Sequence, residues 1–555
     1  MTTQNVAGTH AAHGGGEPRL TRGTLYSGAY AVGIAQLALA IPAVLQGLFL
    51  KDLGPSSSQL TWISDAFLVP VTVLELTFGV LGDLFGRKRL MIIGAALLAV
   101  GMGVALLTPG ASSSTGIRVL VLGIGMALSG AGAAAIMPTS LAMIAAGTHT
   151  ARDRARGIAI WAAALSAGNM VSPVLGGWLA GFSYGNDPNA SWRWAIVAVL
   201  LLALISIAVS AAFARNSSSP EGRSLDWPGQ ITVALALFAL MFAVIQGPTA
   251  GWGSIEVILG FVLSVVFLVL FIMAENRSAA PLLDLDLFKN RAFSVASIAT
   301  VIGMFAFLGT AYSTSIRLTA ILDFTPLHAS LAFVLFNGIA LPLIPVTSRL
   351  LRTYNPRFTM GGGLALMAVG DLWTAAVPVS SQVGLGPVVA PYILIGIGFA
   401  LAVSALTAVL VDTVPIHQEG MASAAANALR DFGFTLGPAV IGAITLSRAA
   451  AEIHSKVATI PGLSRALAAF NASAAHNPAL KAAVGAVNSG PLGANAVPDP
   501  PNPLKNVAFD ALGNANSIGY LVCGIAALAA ALLVVLAVRG GSHDTMILEE
   551  SLVEE

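Results

Sequence analysis

Charged residues are scarce in this chain: they make up 10% of its 555 residues, whereas 56% are hydrophobic. Soluble domains carry about a quarter charged residues, so the composition excludes a water-soluble globule. The net charge is only +1, which provides no basic field for binding nucleic acid. The apolar residues recur in runs of the ~20-residue length that spans a bilayer. The sequence therefore predicts an all-α polytopic membrane protein that has the lipid bilayer as its surroundings.

Cysteine and the signatures of cofactor sites are also lacking. The single cysteine, Cys523, lies in the last apolar run, which excludes a disulfide framework or a cysteine metal site within one chain. The histidines have no ligand-like spacing, and no Gly-x-x-x-x-Gly-Lys loop is present that would hold the phosphates of ATP. We therefore expect no cofactor and no metal. No grouping of nucleophile, base and ligands indicates an enzyme.

Apolar runs fill most of the chain, and an even number of spans puts both termini on one side of the membrane. Lys and Arg gather in the loops on the side of the N-terminus, which the positive-inside rule assigns to the cytoplasm. We expect a multi-pass protein of the cytoplasmic (inner) membrane with both termini cytoplasmic. The fourteen runs lie at 24–50, 60–81, 89–109, 117–146, 155–180, 193–213, 227–247, 255–275, 292–318, 327–350, 357–377, 386–412, 420–447 and 516–538.

The chain repeats itself at an offset of eight spans. The Gly-Ile-Gly that begins at Gly123 in span four recurs at Gly396 in span twelve, and the glycine-rich surroundings of Pro173 in span five recur around Pro438 in span thirteen. Such repeats indicate two related bundles around a site at the midplane. The predicted units are a tail (1–23), an N-terminal six-helix bundle (24–213), two inserted helices (227–275), a C-terminal six-helix bundle (292–538) and a second tail (539–555).

The longest connection, 448–517, lies between the last two spans and is predicted to be external. It is rich in Ala, Asn, Gly and Pro, with four prolines between 498 and 503. This composition predicts an Ala-rich helical hairpin followed by a flexible stretch.

A tight turn with a basic triplet follows span two and reads Gly79-Val-Leu-Gly-Asp83-Leu-Phe-Gly86-Arg87-Lys88-Arg. Ordinary cytoplasmic loops need basic residues but not an acid between glycines at these offsets. The turn resembles the hallmark loop of the major facilitator superfamily, and the resemblance extends over nearly the whole chain. It implies the major facilitator fold, with two six-helix bundles plus two inserted helices, 14 transmembrane helices in all.

Two further segments resemble the fourteen-helix drug:proton antiporter branch, which includes exporters of quaternary ammonium compounds. Trp62-Ile-Ser-Asp65-Ala-Phe opens span two as in that branch. The resemblance implies export of lipophilic, cationic drugs in exchange for protons. Small residues and proline in span five let helices approach closely and move, and the antiporter-type pattern there consists of Gly168, Ser172, Pro173, Gly176 and Gly177.

The turn after span two is predicted to act as a conformational latch. Asp83 would lie where the bundles meet, near the N-terminus of span thirteen, whose dipole favours a carboxylate by ~0.3 to 1 kcal/mol. The residues of this predicted latch are Gly79, Asp83, Gly86, Arg87 and Lys88.

The chain departs from the antiporter pattern at two positions. The branch usually carries an acid where Gly33 stands and an arginine where Met126 stands. A carboxylate and an arginine are thus missing together, so the chain lacks two residues of the usual route of proton coupling. These departures favour an alternative function, a lipid or hydrophobic-metabolite transporter of the same fold without tight proton coupling. A membrane receptor is a third alternative.

Acids within the apolar runs are costly and mark functional positions. Asp65 lies about two turns into span two, and Glu75 lies ~15 Å deeper on the same broad stripe. Asp431 lies in span thirteen beside Arg430; because neighbours on a helix point about 100° apart, we expect that these two do not simply neutralise each other. Asp371 lies in span eleven. These five residues are the predicted proton- and substrate-coupling set.

Aromatic residues could hold a lipophilic or cationic substrate through cation–π contact. The predicted cavity residues are Phe67, Trp161, Phe305 and Tyr312. The expected partners are therefore a lipophilic small molecule and protons.

Overall fold

The computed structural model describes residues 20–148, 151–185, 187–218, 225–278, 281–380, 384–412, 419–473 and 477–537. These residues are predominantly helical and contain no β-strand, which confirms the predicted all-α class. The predicted tails lie almost entirely outside the described residues, which exclude 1–19 and 538–555.

The first nine helices correspond to predicted spans one to eight. Helices α1 and α2 meet at a 40° bend, because Pro42 begins α2 and lacks the N–H that would continue α1. The helices are α1 (Arg22–Ala40), α2 (Pro42–Leu53), α3 (Ser57–Phe85), α4 (Arg87–Leu106), α5 (Thr115–Ala146), α6 (Ala151–Leu179), α7 (Trp192–Phe213), α8 (Trp227–Ala250) and α9 (Ile255–Glu275).

The remaining helices include the last six predicted spans and the long connection before the final span. Helix α10 ends in a π-helical turn, Ile316–Ile321. The helices are α10 (Arg291–Ser315), α11 (Pro326–Asn337), α12 (Ala340–Thr353), α13 (Pro356–Ala376), α14 (Gly386–Asp412), α15 (Glu419–Thr459), α16 (Leu463–Ser473), α17 (Pro478–Asn488), α18 (Pro491–Ala496) and α19 (Lys505–Ala537).

The number of long apolar helices is that of a multi-pass membrane protein. Within the described ranges, 11 helices are long and apolar enough to cross a bilayer, and the bent pair α1–α2 raises the number to 12. Predicted span 327–350 is divided into α11 and α12 around Gly338, and α12 contains Pro345. The number of fourteen spans stays a prediction.

Two sets of helices pack mainly among themselves: α1–α7, here the N-group, and α10–α15 with α19, here the C-group. In each group a glycine brings two helices into backbone contact. A Cβ on Gly168 of α6 would collide with the carbonyl of Gly33 in α1, and a Cβ on Gly437 of α15 would lie 2.7 Å from the backbone N of Gly309 in α10. Helices α6 and α15 therefore have equivalent positions relative to the first helix of their group.

The inserted helix α8 covers one side of the seam between α3 and α15. Ser58 of α3 donates a hydrogen bond to the carbonyl of Ile245 in α8 at 2.6 Å. Farther along, Val73 of α3, Met241 of α8 and Ala439 of α15 belong to one buried apolar cluster. Helix α9 packs on α8. This side of the seam is therefore closed by protein and does not face lipid.

The connection before α19 is helical, as predicted, and the stretch after its hairpin is held to the fold by Asn502. The side chain of Asn502 is fully buried and donates hydrogen bonds to the carbonyls of Ala494 (2.6 Å) and Val497 (2.9 Å). Its amide oxygen accepts from the backbone N–H of Leu504 at 2.9 Å. One asparagine thus pairs backbone groups on both sides of the proline-rich turn, and the flexibility of this stretch stays a prediction.

A buried ionic cluster ties three helices of the N-group together at the face where α3 begins. Asp52 accepts hydrogen bonds from Arg118 of α5 (2.5 Å) and from Arg193 (3.0 Å) and Trp192 (2.7 Å) of α7. The Asp52, Arg118 and Arg193 side chains are at most 8% exposed. Each charge is therefore held in a site where loss of its partner is costly.

Candidate functional site

Helices α3 and α15 meet along a polar stripe between the N-group and the C-group. The hydroxyl oxygen of Thr72 in α3 lies 3.0 Å from the backbone carbonyl oxygen of Asp431 and 2.7 Å from the hydroxyl of Thr435, both in α15. The stripe of span two that carries the predicted acids therefore faces the opposite group near the middle of α3.

Glu75, Asp431 and Arg430 form one buried cluster on this stripe. The carboxyl groups of Glu75 and Asp431 lie close enough to interact, one turn from the contact of Thr72 with Asp431, and carboxylates only accept hydrogen bonds. Glu75 Oε2 and Asp431 Oδ2 lack a donor among the described residues. A proton on one of the two acids would supply it, and Arg430 would neutralise the remaining charge. The cluster can thus hold one exchangeable proton between the groups.

The expectation that Arg430 and Asp431 do not neutralise each other was wrong. Arg430 Nε donates to Asp431 Oδ1 at 2.9 Å, and Arg430 Nη1 donates to the Asn427 side chain at 3.1 Å. The Cβ atoms diverge as helix geometry requires, but the long arginine side chain reaches back to its neighbour. This pair leaves Glu75 as the acid of the cluster without an ion-pair partner among the described residues.

Asp65 lies on the same helix nearer the face where α3 begins. Its side chain is fully buried, and neither carboxyl oxygen has a hydrogen-bond partner in the described part of the chain. One turn earlier, the hydroxyl of Thr61 lies 3.1 Å from that of Tyr312 in α10, and Asp65 is close enough to Tyr312 to interact with it electrostatically. An unpartnered buried carboxylate is costly, so a proton or a cationic group would stabilise this position.

A cavity of about 90 Å³ lies between the N-group and the C-group. Gln36 of α1 donates to Asn169 of α6 at 2.9 Å on its wall, and the Phe307 and Phe399 rings stack with centroids 3.6 Å apart. Among the described residues no charged side chain lines it. Aromatic walls with a few amides suit a lipophilic molecule, but pockets for such molecules have volumes of about 300 Å³ or more, so the groups would have to move apart to admit one. The walls include Gln36, Gln46, Asn169, Asn337, Phe307, Phe333, Phe399, Phe434 and Tyr312.

The structure corrects the predicted set of cavity aromatics. Tyr312 lines the cavity, but Phe67 is 1% exposed in the core, and its carbonyl packs against Gly130 of α5. Trp161 donates its indole N–H to Ser140 at 2.9 Å within the N-group. The backbone of Phe305 packs against Gly433 and Gly437 of α15, and Phe305 is absent from the described lining of the cavity.

Four phenylalanines of the cavity were not predicted from the sequence: Phe307, Phe333, Phe399 and Phe434. A signal was present for two of them. Phe399 follows the repeated Gly-Ile-Gly of span twelve, and Phe434 follows Gly433 of the repeated pattern in span thirteen. Close helix packing at these glycines brings the next side chain to the interface between the groups.

The antiporter-type residues of α6 divide between two surfaces. Ser172 donates to the Leu37 carbonyl of α1 at 2.7 Å, and Gly176 packs on Ile41, as Gly168 packs on Gly33. Pro173 instead lines the cavity. A Cβ on Gly177 would lie 2.6 Å from the carbonyl of Pro326 in α11, so Gly177 contacts the C-group.

Position 33, where the antiporter branch carries an acid, lies in the contact between α1 and α6. A Cβ on Gly33 would lie 3.3 Å from the carbonyl of Ala164 in α6, and a carboxylate there would have to fit into the α1–α6 contact. Met126, at the position of the missing arginine, is fully buried in the N-group core. The acids and the arginine that meet between the groups lie instead on α3 and α15, at Glu75, Asp431 and Arg430.

The turn after α3 docks on the segment that follows α7. Asp83 accepts two hydrogen bonds from Arg87, at 2.7 and 3.0 Å, and Lys88 donates its backbone N–H to Asn216 at 3.1 Å. Gly86 has φ +103°, and a Cβ there would lie 2.6 Å from Asn216. Gly79 makes only ordinary contact with Pro138. The side chains of the first residues of α15, the predicted neighbours of Asp83, lie outside the described residues.

Asp371 lies apart from the α3–α15 cluster, inside the C-group. It is fully buried and accepts a hydrogen bond from Thr310 at 2.6 Å, while Asp371 Oδ2 has no partner among the described residues. In the same described ranges, no group of three or more His, Cys, Asp or Glu side chains could hold a metal ion.

Comparison with known proteins identifies relatives over most of the chain. The sequence profile of the Major Facilitator Superfamily matches residues 27–438. The chain is 28% identical over 434 residues to the Multidrug resistance protein Stp of Mycobacterium tuberculosis, covering 76% of each chain. It is 26% identical to the Tetracenomycin C resistance and export protein of Streptomyces glaucescens, covering 78% of this chain and 77% of that protein.

A third relative is the Puromycin resistance protein pur8 of Streptomyces alboniger, at 29% identity over 76% of this chain and 81% of that protein. Among solved structures, a bacterial homolog to the human lysosomal transporter Spinster, in an inward-facing and unoccupied conformation, matches with a TM-score of 0.61. It covers 93% of this chain and 96% of its own at 15% identity. This likeness concerns the fold alone.

Proposed function

Because the chain belongs to the Major Facilitator Superfamily, and is thus a membrane transporter and not an enzyme, we propose that it exports lipophilic drugs or toxic compounds by proton antiport. The names of three relatives, which refer to multidrug, tetracenomycin C and puromycin resistance, support export of small molecules. The aromatic and amide walls of the cavity support a lipophilic substrate.

The observation that carries the proton step is the proximity of Glu75 and Asp431 across the groups, beside the contact of Thr72 with Asp431. A proton on this pair stabilises the contact of α3 with α15, and loss of the proton leaves two carboxylates facing each other with one arginine. Protonation therefore changes the relative free energy of states in which the groups are together or apart at this depth. We propose that 24–213 and 292–538 move as two six-helix bundles, with 227–275 inserted between them.

Asp65 would recognise a positive charge on the substrate. It is buried without a partner among the described residues and lies near Tyr312, which lines the cavity. In proteoliposomes with an imposed pH gradient, we expect Asp65→Asn to slow export of the cationic dye rhodamine 6G more than export of a neutral dye of similar size. Equal slowing of both dyes would contradict a role in charge recognition.

The alternative function, lipid or hydrophobic-metabolite transport without tight proton coupling, is favoured by Gly33 and Met126 and by the lack of charged side chains among the described cavity residues. The same proteoliposomes separate the two functions. Export that continues at the same rate after the pH gradient is collapsed supports the alternative, and export that stops supports antiport.

We propose that the protein lies in the cytoplasmic membrane with both termini and the Asp83 turn inside and 448–517 outside. In a Cys523→Ser background, we expect a membrane-impermeant maleimide to label Ser455→Cys in intact cells. Arg89→Cys should be labelled only after permeabilisation, and both positions are exposed in the fold. Labelling of Arg89→Cys in intact cells would contradict the proposed orientation and place the Asp83 turn outside.

We propose that the turn at Asp83 changes the relative populations of the states in which the groups are together or apart. It does so without contacting the substrate. An interaction of about 1 kcal/mol that is present in one state only changes the populations about fivefold. We therefore expect Asp83→Asn to slow export about fivefold while dye affinity, measured by fluorescence polarisation, stays as in the parent. Loss of dye binding by a normally folded Asp83→Asn protein would rule out a latch.

A further inference from the structure

A second crevice opens on the lipid-facing surface of the C-group, among α12, α13 and α14. Its volume is about 440 Å³. A Cβ on Gly362, in its wall, would meet no atom within 4 Å, so the absence of a side chain there keeps the crevice open. We call it the α13 groove; its walls include Leu350, Tyr354, Phe358, Gly362, Val369 and Leu401.

The α13 groove has the depth of one leaflet. Its wall on α13 runs from Phe358 to Val369, which at about 1.5 Å per residue is roughly 16 Å. The hydrocarbon core of a bilayer is about 30 Å thick. The groove therefore begins at one membrane surface and ends near the midplane, as the acyl chain of a single phospholipid does.

One arginine lies beside a residue of the groove, and a second arginine precedes another groove residue in sequence. Arg357 stacks on Phe358, with its guanidinium carbon 4.5 Å from the ring centroid, which places a positive charge beside a groove residue. Arg349 is exposed on α12 one residue before Leu350. Tyr354 lies between Arg349 and Arg357 in sequence. Its side chain is 59% exposed and carries a hydroxyl. Helix α13 starts at this end of the groove, on the face where α3 ends.

We propose that the α13 groove is a binding site for one anionic phospholipid, with an acyl chain against α13 and the phosphate head group at Arg357 and Arg349. Basic side chains near the membrane surface attract anionic lipids by about 1 kcal/mol each. The apolar wall alone would accept any lipid chain, so the arginines provide the preference for negative charge. This site is separate from the cavity between the groups and does not depend on the proposed export function.

Native mass spectrometry of the purified full-length protein tests this proposal with phosphatidylglycerol and phosphatidylcholine of identical acyl chains. We expect the parent to prefer phosphatidylglycerol, and Arg357→Gln to weaken phosphatidylglycerol binding about fivefold with phosphatidylcholine unchanged. Arg349→Gln should act in the same direction. Arg156→Gln, which removes an exposed arginine of α6, is the matched control and should have no effect.

Gly362→Leu tests the groove itself, because its side chain would fill the open space and weaken binding of both lipids. The control Gly103→Leu makes the same change in α4, where a Cβ also meets no atom within 4 Å, and should leave lipid binding unchanged. Equal binding of both lipids by the parent would overturn the proposal. So would an equal loss in Arg156→Gln, or displacement of the lipid by rhodamine 6G, which would make the groove a drug site.

Discussion

Glu75→Gln is expected to abolish pH-driven accumulation of substrate while leaving the protein folded and able to bind dye. The amide of glutamine can donate a hydrogen bond to Asp431 as a protonated Glu75 would, but it cannot release a proton. The contact between α3 and α15 is then fixed in its protonated form, with Arg430 still paired to Asp431. The measurement is dye accumulation in proteoliposomes under an imposed pH gradient, and we expect it to fall to the level of protein-free liposomes.

Asp371→Asn is the matched control for this prediction, because Asp371 is also buried and keeps one carboxyl oxygen without a partner among the described residues. It lies inside the C-group, so its neutralisation should not change the contact between the groups. Accumulation should persist in Asp371→Asn. If Asp371→Asn abolishes accumulation and Glu75→Gln does not, the coupling acid lies in the C-group and the role given to the α3–α15 cluster is wrong.

Asp52→Asn should destabilise the protein more than Asp65→Asn, Glu75→Gln or Asp83→Asn. The change leaves Arg118 and Arg193 buried without their shared carboxylate, and breaking a buried ion pair costs about 3–5 kcal/mol. We expect a clear fall in the thermal unfolding temperature of the purified transporter, followed by tryptophan fluorescence.

Asp323→Asn is the control for this stability prediction. Asp323 pairs with Lys51 at 2.6 Å, but the two side chains are 69% and 41% exposed, and exposed pairs contribute about 0–1 kcal/mol. The unfolding temperature of the Asp323→Asn protein should stay close to that of the parent. Similar losses in both variants would show that the Asp52 cluster is no stronger than a surface ion pair.

Much of the helical architecture could be predicted from the sequence, since burial in lipid imposes long apolar runs that are visible without any knowledge of packing. The stripe of Asp65, Thr72 and Glu75 could be predicted too, because helix periodicity fixes which residues of one helix share a face. Division of span 327–350 into α11 and α12 was not predicted, although Pro345 lies within it.

The partners of these residues could not be predicted, because they depend on how one helix is rotated against another. Phe67 and Phe307 are both aromatic residues in apolar runs, yet one packs in the core and the other lines the cavity. Arg430 and Asp431 were misjudged because backbone direction does not limit where a long side chain ends. Arg118 and Arg193, which are 75 positions apart in sequence, meet only through Asp52.

Substrate-induced proton release tests the central claim most directly, because it needs neither a membrane gradient nor a defined topology. Purified parent protein in a weakly buffered detergent solution receives rhodamine 6G, and a pH indicator reports the protons released. If the Glu75–Asp431 pair holds the exchangeable proton, the parent releases protons on dye binding and Glu75→Gln binds dye without release. Equal release from both proteins, or dye binding by the parent without any release, would contradict proton exchange at this cluster.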